Sequence, residues 1–206
     1  EAERALHRQV QRPRLSIPMH RPDLAQRVAR ADLCRFIAAC YYEPGPEFGE
    51  ERLFESLLAV AESVDPDLAD SARRLGEAFR SETLENLLVD YARLFLGPTQ
   101  VLARPYGSAW LGGENAVLAL YAEAGFAIDD EFRELPDHVA VELEFLYLLI
   151  YQDAPADLRR RFLTEHLGRW VRPFTREVRA AAGTAFYREL AQLTDRVVAA
   201  ESARLG

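Results

Sequence analysis

His138 and Glu142 stand four residues apart in a segment whose apolar residues recur with a helical period, so both side chains project from one face. Such a pair can seat a divalent metal, with Glu134 or Asp137 supplying a third oxygen or acting as a general base. The same residues carry a plainer reading. Pro136 opens a helix, Asp137 accepts hydrogen bonds from the free amides of its first turn, and His138 sits in that turn at the surface, making only a solvated contact with Glu142. No cysteine and no second histidine lies nearby in sequence to complete a metal set. His166, just before Leu167 and Trp170, reads as a partly buried structural histidine. Cys34 and Cys40 lie six apart on a helix and leave it in different directions, so they read as small buried residues rather than as ligands or a local disulfide. Ser108 has no neighbour that would activate it, and no Gly-x-Ser-x-Gly elbow, Cys-His arrangement or glycine-rich phosphate loop occurs. The expectation is a non-enzymatic protein without a cofactor, and a small helical metalloenzyme using His138 and Glu142 is the alternative.

The elements that must position these residues are helical almost throughout. Leu24, Val28, Ala31, Phe36 and Ile37 trace a first helix ending near Tyr42 and Pro44; Leu53, Phe54, Leu57, Leu58 and Ala61 trace a second, and Asp65-Pro66 restarts the chain with a cap and a first-turn proline. Ser81 is the expected cap of the next helix, whose face carries Leu84, Leu87, Leu88, Tyr91, Leu94 and Phe95 and which Gly97-Pro98 stops. The stretch 139–151 is apolar on nearly every side apart from Glu142 and Glu144, the pattern of a central helix enclosed by others. After Pro155, Leu158, Phe162, Leu167 and Trp170 mark a further helix; Pro173 begins or kinks the next; Gly183 separates off a last one through Phe186, Tyr187, Leu190, Leu193 and Val197. No segment alternates with period two and no repeat recurs. An all-α single-domain bundle of roughly eight to ten helices is predicted over 23–206, preceded by a flexible or peripheral basic arm over 1–22. The connection 97–113 crowds Pro98, Pro105, Gly107, Gly112 and Gly113 into one loop, whose backbone groups must be solvated or tied down.

Composition narrows the functions. A net charge of −8 opposes binding to nucleic acid and favours a basic peptide. All 25 basic residues are arginine, which removes lysine Schiff bases, lysine general bases and the lysine of a P-loop. No apolar run is long enough to span a bilayer, and the arm, with Arg4, Arg8, Arg12, Arg14 and Arg21, has no apolar core of a secretory signal, so a cytoplasmic protein without stable membrane insertion is expected.

Two segments in order, Tyr91-Ala-Arg-Leu-Phe95 running into Gly97-Pro98, and Glu134-Leu-Pro-Asp-His138, resemble the two signature motifs of the TorD/DmsD family of molybdoenzyme maturation chaperones. The likeness extends over 24–200: Pro105-Tyr-Gly-Ser108 with Trp110 is similar to the turn of the DmsD branch, Tyr41-Tyr-Glu-Pro44 to its first-helix exit, and Phe186-Tyr-Arg-Glu-Leu-Ala191 to its last helix. Thr99 departs from it, standing where that branch carries an aromatic. The resemblance implies an all-helical fold and a chaperone that binds the twin-arginine signal peptide and the apo catalytic subunit of a molybdoenzyme. Such a chaperone withholds its client from export until the molybdopterin cofactor is inserted. It also implies a peptide-binding surface of Tyr41, Tyr42, Tyr91, Leu94, Phe95, Pro105, Tyr106, Gly107, Ser108, Trp110, Glu134, Pro136, Asp137 and His138. In it Asp137 pairs with a ligand arginine, Phe95 packs inward, and Tyr91 shows its ring edge beside the loop. Both monomers and domain-swapped dimers occur in the family, and 131–136 would serve as the exchange hinge. An adaptor subunit of a larger complex on the same scaffold is the remaining reading.

Overall fold

A computed structural model describes residues 21–45, 52–97, 101–112, 116–127 and 134–205. Residues 1–20 of the expected arm, Pro98, Thr99, Gly113 and half of the expected exchange hinge (131–133) lie outside the described residues. Helices α1 (Arg21–Ala39), α2 (Arg52–Val64), α3 (Pro66–Arg80) and α4 (Leu84–Phe95) are followed by the short α5 (Ser108–Leu111), α6 (Ala116–Ala124) and α7 (Val139–Tyr151). The chain ends with α8 (Ala156–Arg161), a π-helical segment (Phe162–Leu167), α9 (Gly168–Ala181) and α10 (Ala185–Ala203). Among the described residues the one departure from helix and loop is an isolated antiparallel bridge between Tyr106 and His138.

Local chemistry places most boundaries. Asp65 accepts from the Asp67 amide at 2.7 Å with Pro66 behind it, so α3 starts where cap and proline predicted. Ser81 does not cap α4. It closes α3, and Thr83 caps α4 by accepting from the Asn86 amide at 3.1 Å. Both residues can cap, and Thr83 takes the role because its backbone is extended whereas that of Ser81 is still helical. Pro173 neither begins nor ends a helix; it lies inside α9. The irregularity falls earlier, where the Gly168 amide reaches back to the Leu163 carbonyl in a π turn. A Cβ on Gly168 would stand 2.0 Å from that carbonyl oxygen, so the wide turn needs glycine there.

α7 is the central helix that its composition predicted. Its residues Val139, Val141, Leu143, Phe145, Leu146, Leu149 and Ile150 are all buried, with α1 packed along it. α10 lies against α3 and α9, with Phe186, Tyr187, Leu190 and Leu193 in the same continuous core. The Arg30 guanidinium and the buried Glu201 carboxylate pair across α1 and α10, Nε to Oε1 at 2.8 Å. Cys34 and Cys40 are buried and free, as their spacing predicted.

Candidate functional site

The first four amides of α7 need acceptors, and the loop 101–112 needs partners for its backbone; each supplies the other. The Gly107 amide donates to the Asp137 carbonyl and the Val139 amide to the Pro105 carbonyl, both at 2.8 Å. The Asp137 side chain continues this clamp, its Oδ2 accepting from the Ser108 amide at 2.8 Å. At its other end the loop is tied to α4, the Ala103 amide donating to the Leu94 carbonyl at 3.0 Å. The two motif segments therefore meet in space through the loop between them.

His138, not Asp137, caps α7: Nδ1 accepts from the Ala140 amide at 3.2 Å. Nor is His138 a surface residue. Only 3% of it is exposed, with Tyr42 stacked at 6.1 Å and Tyr106 edge-on at 5.3 Å. Burial pushes its pKa down from 6.5 to about 4, with Asp137 pulling the other way, so the ring is neutral at pH 7 and Nδ1 is free to accept. Asp137 is likewise 3% exposed. The resemblance implies that this carboxylate pairs with a ligand arginine; in the structure its Oδ2 accepts from the Ser108 amide of the loop.

Beneath Gly107 lies a buried polar cluster whose pairing the sequence did not reveal. Glu142, fully buried, contacts His166 Nε2 through Oε1 at 2.8 Å and accepts from Trp170 Nε1 through Oε2 at 3.1 Å. Burial raises the Glu142 carboxyl from 4.5 to about 7 against the opposing pull of His166 and Trp170. Both oxygens of Glu142 are thus engaged by His166 and Trp170, and His138 Nδ1 by the Ala140 amide, rather than by one another. Among the described residues no three His, Cys, Asp or Glu side chains converge on a metal position. A Cβ on Gly107 would stand 2.9 Å from Glu142 Oε1 and 3.1 Å from Trp170 Nε1, so the loop rests directly on this cluster. The π segment turns His166 towards it, and the only sequence cue was His166 and Trp170 at helical spacing.

The remaining expected residues divide by depth. Tyr41, Tyr91, Leu94, Phe95 and Pro105 are buried, with Tyr41 bonded to Thr194 at 3.0 Å and Tyr91 packed on Phe95 with ring centroids 5.2 Å apart. The Tyr91 ring edge expected beside the loop is thus almost wholly covered, at 5% exposure, because Tyr187 closes over it. Tyr42, Tyr106, Ser108, Trp110, Glu134 and Pro136 are half-buried, and Leu135 is exposed. These form an outer face in which Tyr106 donates to Glu134 at 3.4 Å, Tyr42 to Glu144 at 3.0 Å and the Trp110 indole to the Arg104 carbonyl at 2.9 Å. Below it Tyr121 donates to the Pro136 carbonyl at 2.8 Å. Asp90, beside Tyr91, was also missed: buried, it accepts from the Gly183 amide at 3.1 Å and the Thr184 amide at 2.8 Å, anchoring the start of α10.

In this all-α bundle the buried Asp137 carboxylate holds the loop, and half-buried aromatic and acidic side chains lie on the face outside it. The chain belongs to the family described as nitrate reductase delta subunit, whose pattern matches residues 61–176. It is similar to the chaperone protein TorD of Shewanella loihica, 27% identical over 173 residues that cover 76% of this chain and 80% of the relative. TorD of Vibrio parahaemolyticus is 28% identical over 166 residues, 70% of this chain and 76% of the relative. TorD of Escherichia coli O139:H28 is 31% identical over 142 residues, 63% and 71%. The TorD/DmsD resemblance read from the two motifs is therefore sound, and it places the chain among chaperones rather than enzymes. Among the described residues no helix is long and apolar enough to cross a membrane.

Proposed function

We propose that this protein is a molybdoenzyme maturation chaperone that binds the twin-arginine signal peptide and the apo catalytic subunit of its client in the cytoplasm, holding the client from export until its cofactor is inserted. The observation that carries the reading is the joining of the two motif segments by the clamped loop, in a chain related over most of its length to TorD chaperones. The outer face supplies what such a peptide needs. Tyr42, Tyr106, Trp110 and Leu135 offer apolar surface to the hydrophobic stretch of the signal, and the carboxylates of Glu134 and Glu144, bonded to Tyr106 and Tyr42, lie beside those rings for its arginines. Asp137 acts by positioning Ser108 and the loop. The core residues Tyr41, Tyr91, Leu94 and Phe95 set the end of α4 against which the loop rests.

Isothermal titration with a synthetic twin-arginine signal peptide tests the proposal. Saturable binding is expected, with retained but weaker binding when both arginines become glutamine; no binding of either peptide refutes it.

A further inference from the structure

α9 carries Arg169, Arg172, Arg176 and Arg179 at steps of three, four and three residues, which places them in one row along a helix face over about 15 Å. All four are exposed, and among the described residues none of their guanidinium groups meets a carboxylate. This is unusual in a chain of net charge −8: over 168–188 there are five arginines and a single acid, Glu177. An acidic protein that concentrates unpaired arginines on one face has built a local field opposite to its overall one.

The row is not flat. Arg172, Arg176 and Arg179 form one wall of a trough of about 880 Å³ between α9 and α10, and Arg188 and Gln192 stand on the other. Arg188 is fixed there by donating to the Ala182 carbonyl at 2.8 Å and the Gly183 carbonyl at 3.3 Å. Of the acids on the α10 wall, Glu189 is drawn towards α3 by Arg74 at 3.0 Å, and Asp195 lies towards the end away from the α9–α10 turn.

We infer that this trough binds an extended acidic peptide segment of a partner protein. Arginines four apart on a helix are separated by about 6 Å along the axis. Carboxylates two apart on an extended chain are separated by about 6.6 Å on one side of it. Alternate acidic residues of an extended segment therefore fall in register with Arg172 and Arg176, and each guanidinium can take a carboxylate in a two-point hydrogen bond. The concave shape, with Arg188 facing the row, admits a single chain from the side and is poorly matched to a planar lipid surface. The trough belongs to α9 and α10, separate from the loop clamp, and its role does not depend on the signal-peptide reading.

Fluorescence anisotropy of a fluorescein-labelled ten-residue peptide of alternating Glu and Ser, titrated with the whole chain, tests the inference. Saturable binding at low salt is expected. It should weaken more than tenfold in R172E/R176E and severalfold in R172Q/R176Q, and be lost when the Glu residues of the peptide become Gln. Circular dichroism confirms that each variant is folded, the neutral pair serving if the charge reversal unfolds α9. Absence of saturable binding, equal affinity in the folded variants, or sedimentation with phosphatidylglycerol and phosphatidylcholine vesicles in place of peptide binding would overturn it.

Discussion

Replacing Asp137 separates a carboxylate that holds the loop from one that greets a ligand. Asp137→Ala removes the acceptor of the Ser108 amide while leaving the backbone bonds of Gly107 and Val139 in place. A buried hydrogen bond to a charged acceptor contributes about 1.5–3 kcal/mol, and a domain of this size shifts its melting temperature by about 2–4 °C per kcal/mol, so a drop of about 3–12 °C is expected. Asp137→Asn keeps an acceptor of the same shape but loses the charge assistance, so it should fall between Asp137→Ala and the unmutated protein. Hydrogen exchange at the Ser108 amide should accelerate in the same order. Calorimetric melting together with exchange decides the matter. If Asp137→Ala melts normally with unaltered Ser108 exchange, yet loses signal-peptide binding, the loop-holding role is wrong and the carboxylate meets the ligand directly.

Three further outcomes follow from the same geometry. Gly168→Ala forces a methyl group onto the Leu163 carbonyl and should cost about 1–3 kcal/mol in chemical denaturation, whereas an unchanged midpoint would mean that the π turn relaxes freely. His138, neutral when buried, favours the unfolded state as pH falls from 6.5 towards 4; Glu142, with its pKa raised, favours the folded state over much of the same interval. The two oppose each other, so Glu142→Gln should lose stability on acidification more steeply than the unmutated protein, by up to about 1.4 kcal/mol per pH unit, and parallel pH profiles would contradict that balance. Tyr106→Ala and Trp110→Ala should each weaken signal-peptide binding by about 1–3 kcal/mol, more than Glu134→Gln at under about 1 kcal/mol, and added salt should have a modest effect; a larger loss from Glu134→Gln in titration calorimetry would make recognition electrostatic.

The helices were legible because their apolar residues recur at the period of one face, and the central place of α7 because its segment lacks a polar side. Ser81 and Thr83 could not be ranked as caps from their types alone, since backbone conformation decides between them. The π segment left no trace in the periodicity, and Gly168 is its one cue. At the site, the two motifs were legible as segments, but the depth of each side chain was not. His138 is buried by Tyr42 and Tyr106, which come from distant positions in the chain, and Glu142 finds His166 and Trp170 beyond α8, in the π segment and in α9. Such long-range pairings decide whether Asp137, His138 and Glu142 face a ligand, a metal or one another, and local spacing carries no information about them.

The central claim is that the clamped loop and the start of α7 form the peptide-binding face. Hydrogen–deuterium exchange of the whole chain with and without a twin-arginine signal peptide tests it most directly. The account predicts peptide-dependent protection confined mainly to 101–112 and 134–138, with the α9–α10 trough unaffected. Protection confined to α9 and α10, or none at saturating peptide, would contradict it.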